Sequence, residues 1–147
     1  MPVEKTIFTL GTSNRSVGEL VHLLRANGIE MVVAVRSFPT SKFPHFKKEA
    51  LSQSLAQEGL GYYYLGKELG GYRKGGYEAY MQTYDYLRGI DLLERMAARC
   101  PSAILCAERS PKRCHRRLIG RSLEERGWKI VHITEEGRGA EGEGFES

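Results

Sequence analysis

The sequence predicts a single α/β domain built on a mainly parallel five-stranded sheet in three layers. Three observations predict it. Short apolar segments alternate along the chain with segments of helical periodicity, the pattern of strands joined by crossover helices. The segment 31–35 is apolar throughout, as a strand covered on both faces must be. The chain has 147 residues, enough for one domain with one core. The α/β domain is expected over residues 1–133. Residues 134–147 form an acidic Gly/Glu tail with too little apolar surface to fold, and disorder is expected there.

Residues 7–11 read as the first strand. Ser16 and Glu19 then fit a capping box, in which each side chain satisfies the other residue's free backbone donor. Val17, Leu20, Val21 and Leu24 give the following helix one apolar face, and Gly28 is a natural stop. The second strand is 31–35. Pro39 and Pro44 punctuate a loop, and 47–58 reads as a helix with Leu51 and Leu55 inward and Gly59 at its end. The third strand, 61–65, carries Tyr62, Tyr63 and Tyr64.

The five glycines between 66 and 76 match no phosphate-binding fingerprint and predict a mobile loop or lid. Residues 77–100 predict a long helix, broken near Gly89. The fourth strand is 103–107. Ser110 and Pro111 suit the N-cap and first position of the next helix, whose buried stripe is Leu118, Ile119 and Leu123 and whose end is Gly127. The fifth strand is 129–133. The expected strand order is 3-2-1-4-5, with 2-1-3-4-5 as the alternative. There is no internal repeat.

Composition narrows the function classes. No stretch approaches the roughly 20 apolar residues of a membrane span, and the first ten residues lack the charge-then-apolar pattern of a signal peptide. A membrane partner is therefore not expected. Three cysteines, Cys100, Cys106 and Cys114, are too few and odd in number for a disulfide framework, which suggests reduced thiols and a cytoplasmic location. Net charge is +4, but residues 134–147 hold five glutamates and one arginine, leaving +8 on residues 1–133. So basic a body attracts phosphates or nucleic acid, or is simply well solvated.

Chemistry-bearing residues collect where strands end. Ser13, Asn14 and Arg15 follow the first strand. Arg36 and Ser37 follow the second. Glu108 and Arg109 follow the fourth, with Cys114, His115 and Arg116 close behind. In open α/β sheets ligands bind beyond the carboxyl ends of strands. Arginines there suit bidentate contact with phosphate or carboxylate, and the helix beginning near Ser110 would direct free N–H groups at an anion. The same residues also suit a structural role, with Arg36 paired to Glu108 across the strand ends.

Cys114, near a helix start and beside Lys112, Arg113, Arg116 and Arg117, is favoured as a thiolate, although a free cysteine is often just a small buried side chain. His115 suits general acid/base work or packing. Cys106 reads as core. His22, His45 and His132 have no partner identifiable from spacing. Cys106, Glu108, Cys114 and His115 lack zinc-site spacing, so neither metal nor cofactor is expected. The tyrosines between 62 and 84 suit core packing or base stacking.

Four motifs together resemble a family known as domain of unknown function 488. They are Gly11 to Arg15, Val35 to Pro39 continuing through Ser41 to Phe46, Leu65 to Gly71, and Cys106 to Glu108 followed by Cys114 to Arg116. The resemblance runs from about residue 6 to residue 133 and implies the same α/β fold and a pooled site, but no reaction. The family commonly has Asp before its Val-Arg-Ser and Arg at the position of Lys42. Here Ala34 precedes Val35, which removes a carboxylate suited to orienting Arg36 or binding a ligand.

The leading expectation is an enzyme or binding protein for a phosphorylated or nucleotide-like anion. Ser13, Asn14, Arg15, Arg36, Ser37, Arg109 and Arg116 would bind it. A hydrolase or transferase would use Glu108 as nucleophile or general base and His115 for protons. One alternative makes Cys114 the nucleophile in sulfur or phosphoryl transfer. Another makes the basic body a nucleic-acid-binding module with a competing acidic tail. No oligomeric state is readable.

Overall fold

Apolar side chains cover both faces of the sheet. In the computed structural model, which describes residues 5–11, 16–35, 48–70, 75–106, 116–133 and 139–141, six strands form one sheet. They are β1 (Thr6–Gly11), β2 (Met31–Ala34), β3 (Gly61–Tyr64), β4 (Ser102–Cys106), β5 (Lys129–Ile133) and β6 (Gly139–Glu141). The helices are α1 (Val17–Ala26), α2 (Lys48–Gln57), α3 (Gly66–Leu69), α4 (Tyr77–Tyr80), α5 (Tyr84–Arg99) and α6 (Arg116–Glu124). The first five strands are parallel. This is the expected α/β domain.

Alternation along the strands divides the core in two. On one face Ile7, Val33, Val35, Ile104 and Ile130 pack with Leu69 of α3, Ile90 and Leu93 of α5, and Ile119 and Leu123 of α6. On the other, Leu10, Val32, Ala103, Leu105 and Ile133 pack with Leu20 and Leu24 of α1 and Leu51 and Leu55 of α2. The Ser16 capping box forms as expected, with Glu19 N donating to Ser16 Oγ at 3.0 Å and Ser16 N to Glu19 Oε1 at 2.8 Å. Arg25 ties the ends of α1 and α2 together through the Glu58 carbonyl and carboxylate, both at 2.9 Å.

The strand order is β3-β2-β4-β1-β5-β6, which corrects both expected orders. β4 sits between β2 and β1 rather than outside β1. Its Ala103, Ile104 and Leu105 are at most 1% exposed, which suits a central position with apolar contacts on both faces. The chain thus runs outward from β1 to β2 and β3 with α1 and α2 on one face. It returns through α5 on the other face to insert β4, then crosses β1 through α6 to reach β5.

Three further elements differ from expectation. Residues 77–100 are not broken at Gly89 but at 81–83, where Thr83 caps α5 by accepting from Tyr86 N. Gly89 is buried inside α5, where a Cβ would lie 2.8 Å from Glu68 Cβ and from Leu69 Cδ2, so the glycine lets α3 approach. Within the glycine-rich stretch, Gly66–Leu69 is a helix, held because Tyr77 Oη and Tyr80 Oη donate to the Leu69 and Glu68 carbonyls, both at 2.7 Å. From the acidic segment, Gly139–Glu141 adds an antiparallel sixth strand beside β5.

Candidate functional site at the carboxyl edge of the sheet

Parallel pairing sets the levels at which the strands end. Gly11 of β1 is in register with Cys106 of β4, and Ala34 of β2 with Leu105 of β4. The Val35 amide donates to the Leu105 carbonyl at 2.9 Å, extending the β2–β4 ladder by one residue. Gly11, Cys106 and Val35 therefore stand side by side on three adjacent strands. With neighbouring strands about 4.8 Å apart, the outer two are about 10 Å apart at this level. The chain leaves all three strands at one level of the same edge.

Ser13, Asn14, Arg15, Arg36, Ser37, Glu108, Arg109, Cys114 and His115 all lie outside the described residues, as do Lys42, His45, Ser110 and Pro111. Arg116 is the first residue of α6. The described strand ends fix only where the segments carrying these residues begin. The segment holding Glu108 and Arg109 starts from β4, between the one holding Arg15 and the one holding Arg36. In the expected order it would have bordered only the β1 segment.

Two described features on this side of the molecule were not legible as site elements. The first is α3, which follows β3 directly, with the Leu65 amide donating to the Ala34 carbonyl of β2 at 2.8 Å. It carries exposed Lys67 beside the β2 end, where a mobile loop was expected. The second is a buried polar pair, Thr9 and His132, whose Oγ1 and Nδ1 lie 2.6 Å apart across the β1–β5 ladder. Gly120 of α6 lies over β5, and a Cβ there would be 3.3 Å from Ile130 Cγ2 and 3.9 Å from His132 Cε1. The sequence signal for this pair was a polar residue flanked by apolar neighbours in each strand, Thr9 between Phe8 and Leu10 and His132 between Val131 and Ile133.

Other candidates take structural places. Tyr77, Tyr80 and Tyr86 pack together with ring centroids 5.8–6.0 Å apart, Tyr86 edge-on to the other two. These three belong to the packing between α3, α4 and α5 rather than to a base-stacking platform. Arg126 donates to Asp91 Oδ1 and Glu94 Oε1, both at 2.7 Å, and Trp128 Nε1 donates to Glu94 Oε2 at 2.8 Å. The two carboxylates raise the Arg126 pKa. Lys5 Nζ lies 5.0 Å from the Trp128 ring centroid. This network fastens α5 to the turn before β5, away from the carboxyl edge.

Among the described residues no group of three or more His, Cys, Asp or Glu could hold a metal ion. No described helix is long and apolar enough to cross a membrane.

The family model for Domain of unknown function DUF488 matches residues 16–123. The chain belongs to the DUF488 family. The match runs from the cap of α1 to Leu123 of α6 and so spans β2, β3 and β4 with the segments that follow them. No curated protein and no solved structure matched the chain. Within this DUF488 domain Ala34 is 1% exposed, paired in register with Tyr64 of β3 and Leu105 of β4.

Proposed function

We propose that the carboxyl edge formed by β2, β4 and β1 binds a phosphorylated or nucleotide-like anion. The observation that carries this reading is the common level of Gly11, Cys106 and Val35 on adjacent strands. The segments that leave from those three points carry Arg15, Arg109 and Arg36 respectively. In the proposal Ser13, Asn14, Arg15, Arg36, Ser37, Arg109 and Arg116 bind the anion. Glu108 and His115 serve as base and proton carrier of a hydrolase or transferase. Cys114 is the alternative nucleophile, and a nucleic-acid phosphate the alternative ligand. A cytoplasmic location belongs to the same proposal, supported by the free thiol of Cys100.

Thermal unfolding with phosphate, nucleotides and short nucleic acids tests it. A ligand at 100 times its dissociation constant stabilises by about 2.7 kcal/mol, a rise of about 5–10 °C for a domain of this size. The expected result is a rise with a small phosphorylated ligand that Arg36→Ala abolishes. Shifts confined to nucleic acid and fading with salt would support the nucleic-acid module instead. No shift with any phosphate or nucleotide contradicts the proposal.

A further inference from the structure

Three large apolar side chains are exposed among the described residues: Tyr63, Tyr84 and Leu87, with Tyr84 the most open at 77%. Two of them lie on one face of α5. There Tyr84, Leu87, Arg88, Asp91, Leu92 and Arg95 line a shallow groove of about 270 Å³. Their spacings of three, one, three, one and three keep them on a single helical stripe. The opposite stripe of α5, with Tyr86, Gly89, Ile90 and Leu93, is buried against the domain. The groove is therefore the outward face of a helix whose inward face is already fully used.

The stripe is complementary to itself when reversed. A two-fold axis perpendicular to α5, passing between residues 89 and 90, brings Tyr84 level with the partner's Arg95. The same axis brings Arg88 level with the partner's Asp91. Each pairing recurs through the symmetry, as an isologous contact requires. Arg88 and Asp91 form oppositely charged layers, and Tyr84 with Arg95 supplies a ring face for a guanidinium. Leu87, 43% exposed, flanks the seam on one side, while half-buried Leu92 on the other side packs against the core. Asp91 is held by Arg126 through Oδ1, yet its side chain stays 56% exposed and open to a second cation. A helix of 16 residues gives room for all these layers.

We infer that α5 is the interface of an antiparallel homodimer, with a second copy of this chain as the partner. The inference rests on α5 alone and not on the ligand proposed for the carboxyl edge. One helix pair buries less than the roughly 1,200–2,000 Å² of a standard stable interface. The dimer is accordingly weak, with a dissociation constant in the micromolar range or above, and it loosens in high salt as its charge layers are screened.

Sedimentation equilibrium over a concentration series of the full chain tests this. The wild type is expected to move from monomer toward dimer mass as concentration rises. Arg88→Asp sets like charges opposite each other in both symmetry-related layers, and so does Asp91→Arg. Each variant alone is expected to weaken association at least about tenfold. Mixed in equal amounts, the two variants restore opposite charges in both layers, and the heterodimer is expected within about threefold of wild-type affinity. Leu87→Glu, a surface change that leaves the inward face intact, is a second disrupting variant, with circular dichroism confirming the fold of each. A wild type that stays monomeric throughout overturns the inference. So does a dimer indifferent to these variants, or a mixture no better than its components. A monomer that captures nucleic acid or an acidic protein on this face overturns it too.

Discussion

Thr9 and His132 are 123 positions apart in the chain, yet Thr9 Oγ1 and His132 Nδ1 share a hydrogen bond of 2.6 Å between neighbouring strands, both residues buried. Burial without this bond would leave a polar nitrogen poorly solvated. Thr9→Val keeps the branched shape and removes the hydroxyl, and is expected to cost about 1–3 kcal/mol in urea unfolding. His132→Phe removes the other partner. The double variant is expected to lose less than the two single losses together, by at least about 0.5 kcal/mol. Strict additivity would show that the two side chains do not act as a pair.

Gly89 is the point at which α5 admits α3. Alanine there gains about 1 kcal/mol of helix propensity. Its Cβ, however, would lie 2.8 Å from Glu68 Cβ and Leu69 Cδ2, and Glu68 Cβ is fixed close to the backbone. Overpacking of this kind costs about 1–3 kcal/mol, so Gly89→Ala is expected to destabilise on balance, and Gly89→Val further. A rise in melting temperature for Gly89→Ala would show that α3 retreats freely.

These two sites show what the sequence carried and what it withheld. Alternation and helical spacing specify which face of an element is buried, so Leu20, Leu24, Leu51 and Leu55 could be assigned inward from the sequence. They say nothing about which strand lies beside which, because β4 is as apolar as a central strand in any of the orders considered. The Thr9–His132 pair was hidden for that reason, since it depends on β5 lying beside β1. Gly89 was misread because glycine has two uses in a helix, as a stop and as a notch, and only the neighbour distinguishes them. Short α3 was missed because its carbonyls are capped by Tyr77 and Tyr80, hydroxyls from further along the chain. At the candidate site, the sequence shows which polar residues follow each strand, whereas the place of β4 between β2 and β1 was not readable.

Tyr86 should leave a mark on stability at alkaline pH. Burial raises its pKa above the usual value of 10.0, and its hydroxyl lies 2.7 Å from Ser122 Oγ. Below pH about 10 both folded and unfolded chains hold this proton, and the group adds no slope. Above it the unfolded chain releases the proton while the folded chain keeps it, so stability falls as pH rises toward the folded pKa. Tyr86→Phe is expected to cost about 1 kcal/mol at neutral pH through the lost hydrogen bond. From about pH 10 upward it should lose stability less steeply than wild type, so the two curves converge. The remaining tyrosines titrate in both proteins and drop out of the difference. Parallel curves up to alkaline unfolding would mean that Tyr86 ionises as easily in the folded chain as in the unfolded one.

Ala34 offers a direct test of whether Arg36 belongs to the proposed anion site. The residue is 1% exposed at the end of β2, two positions before Arg36. A carboxylate introduced there is buried, and a buried charge is tolerated only with a partner. Ala34→Asp is therefore expected to be far better tolerated with Arg36 present than in an Arg36→Ala background. The difference should be at least about 1.5 kcal/mol in a double-mutant cycle. The same substitution should weaken binding of any anion that Arg36 holds, because the new carboxylate competes for the guanidinium. Equal cost in both backgrounds would place Arg36 out of reach of position 34. Unchanged ligand affinity together with strong coupling would leave Arg36 a structural cation and move the anion onto Arg15 and Arg109.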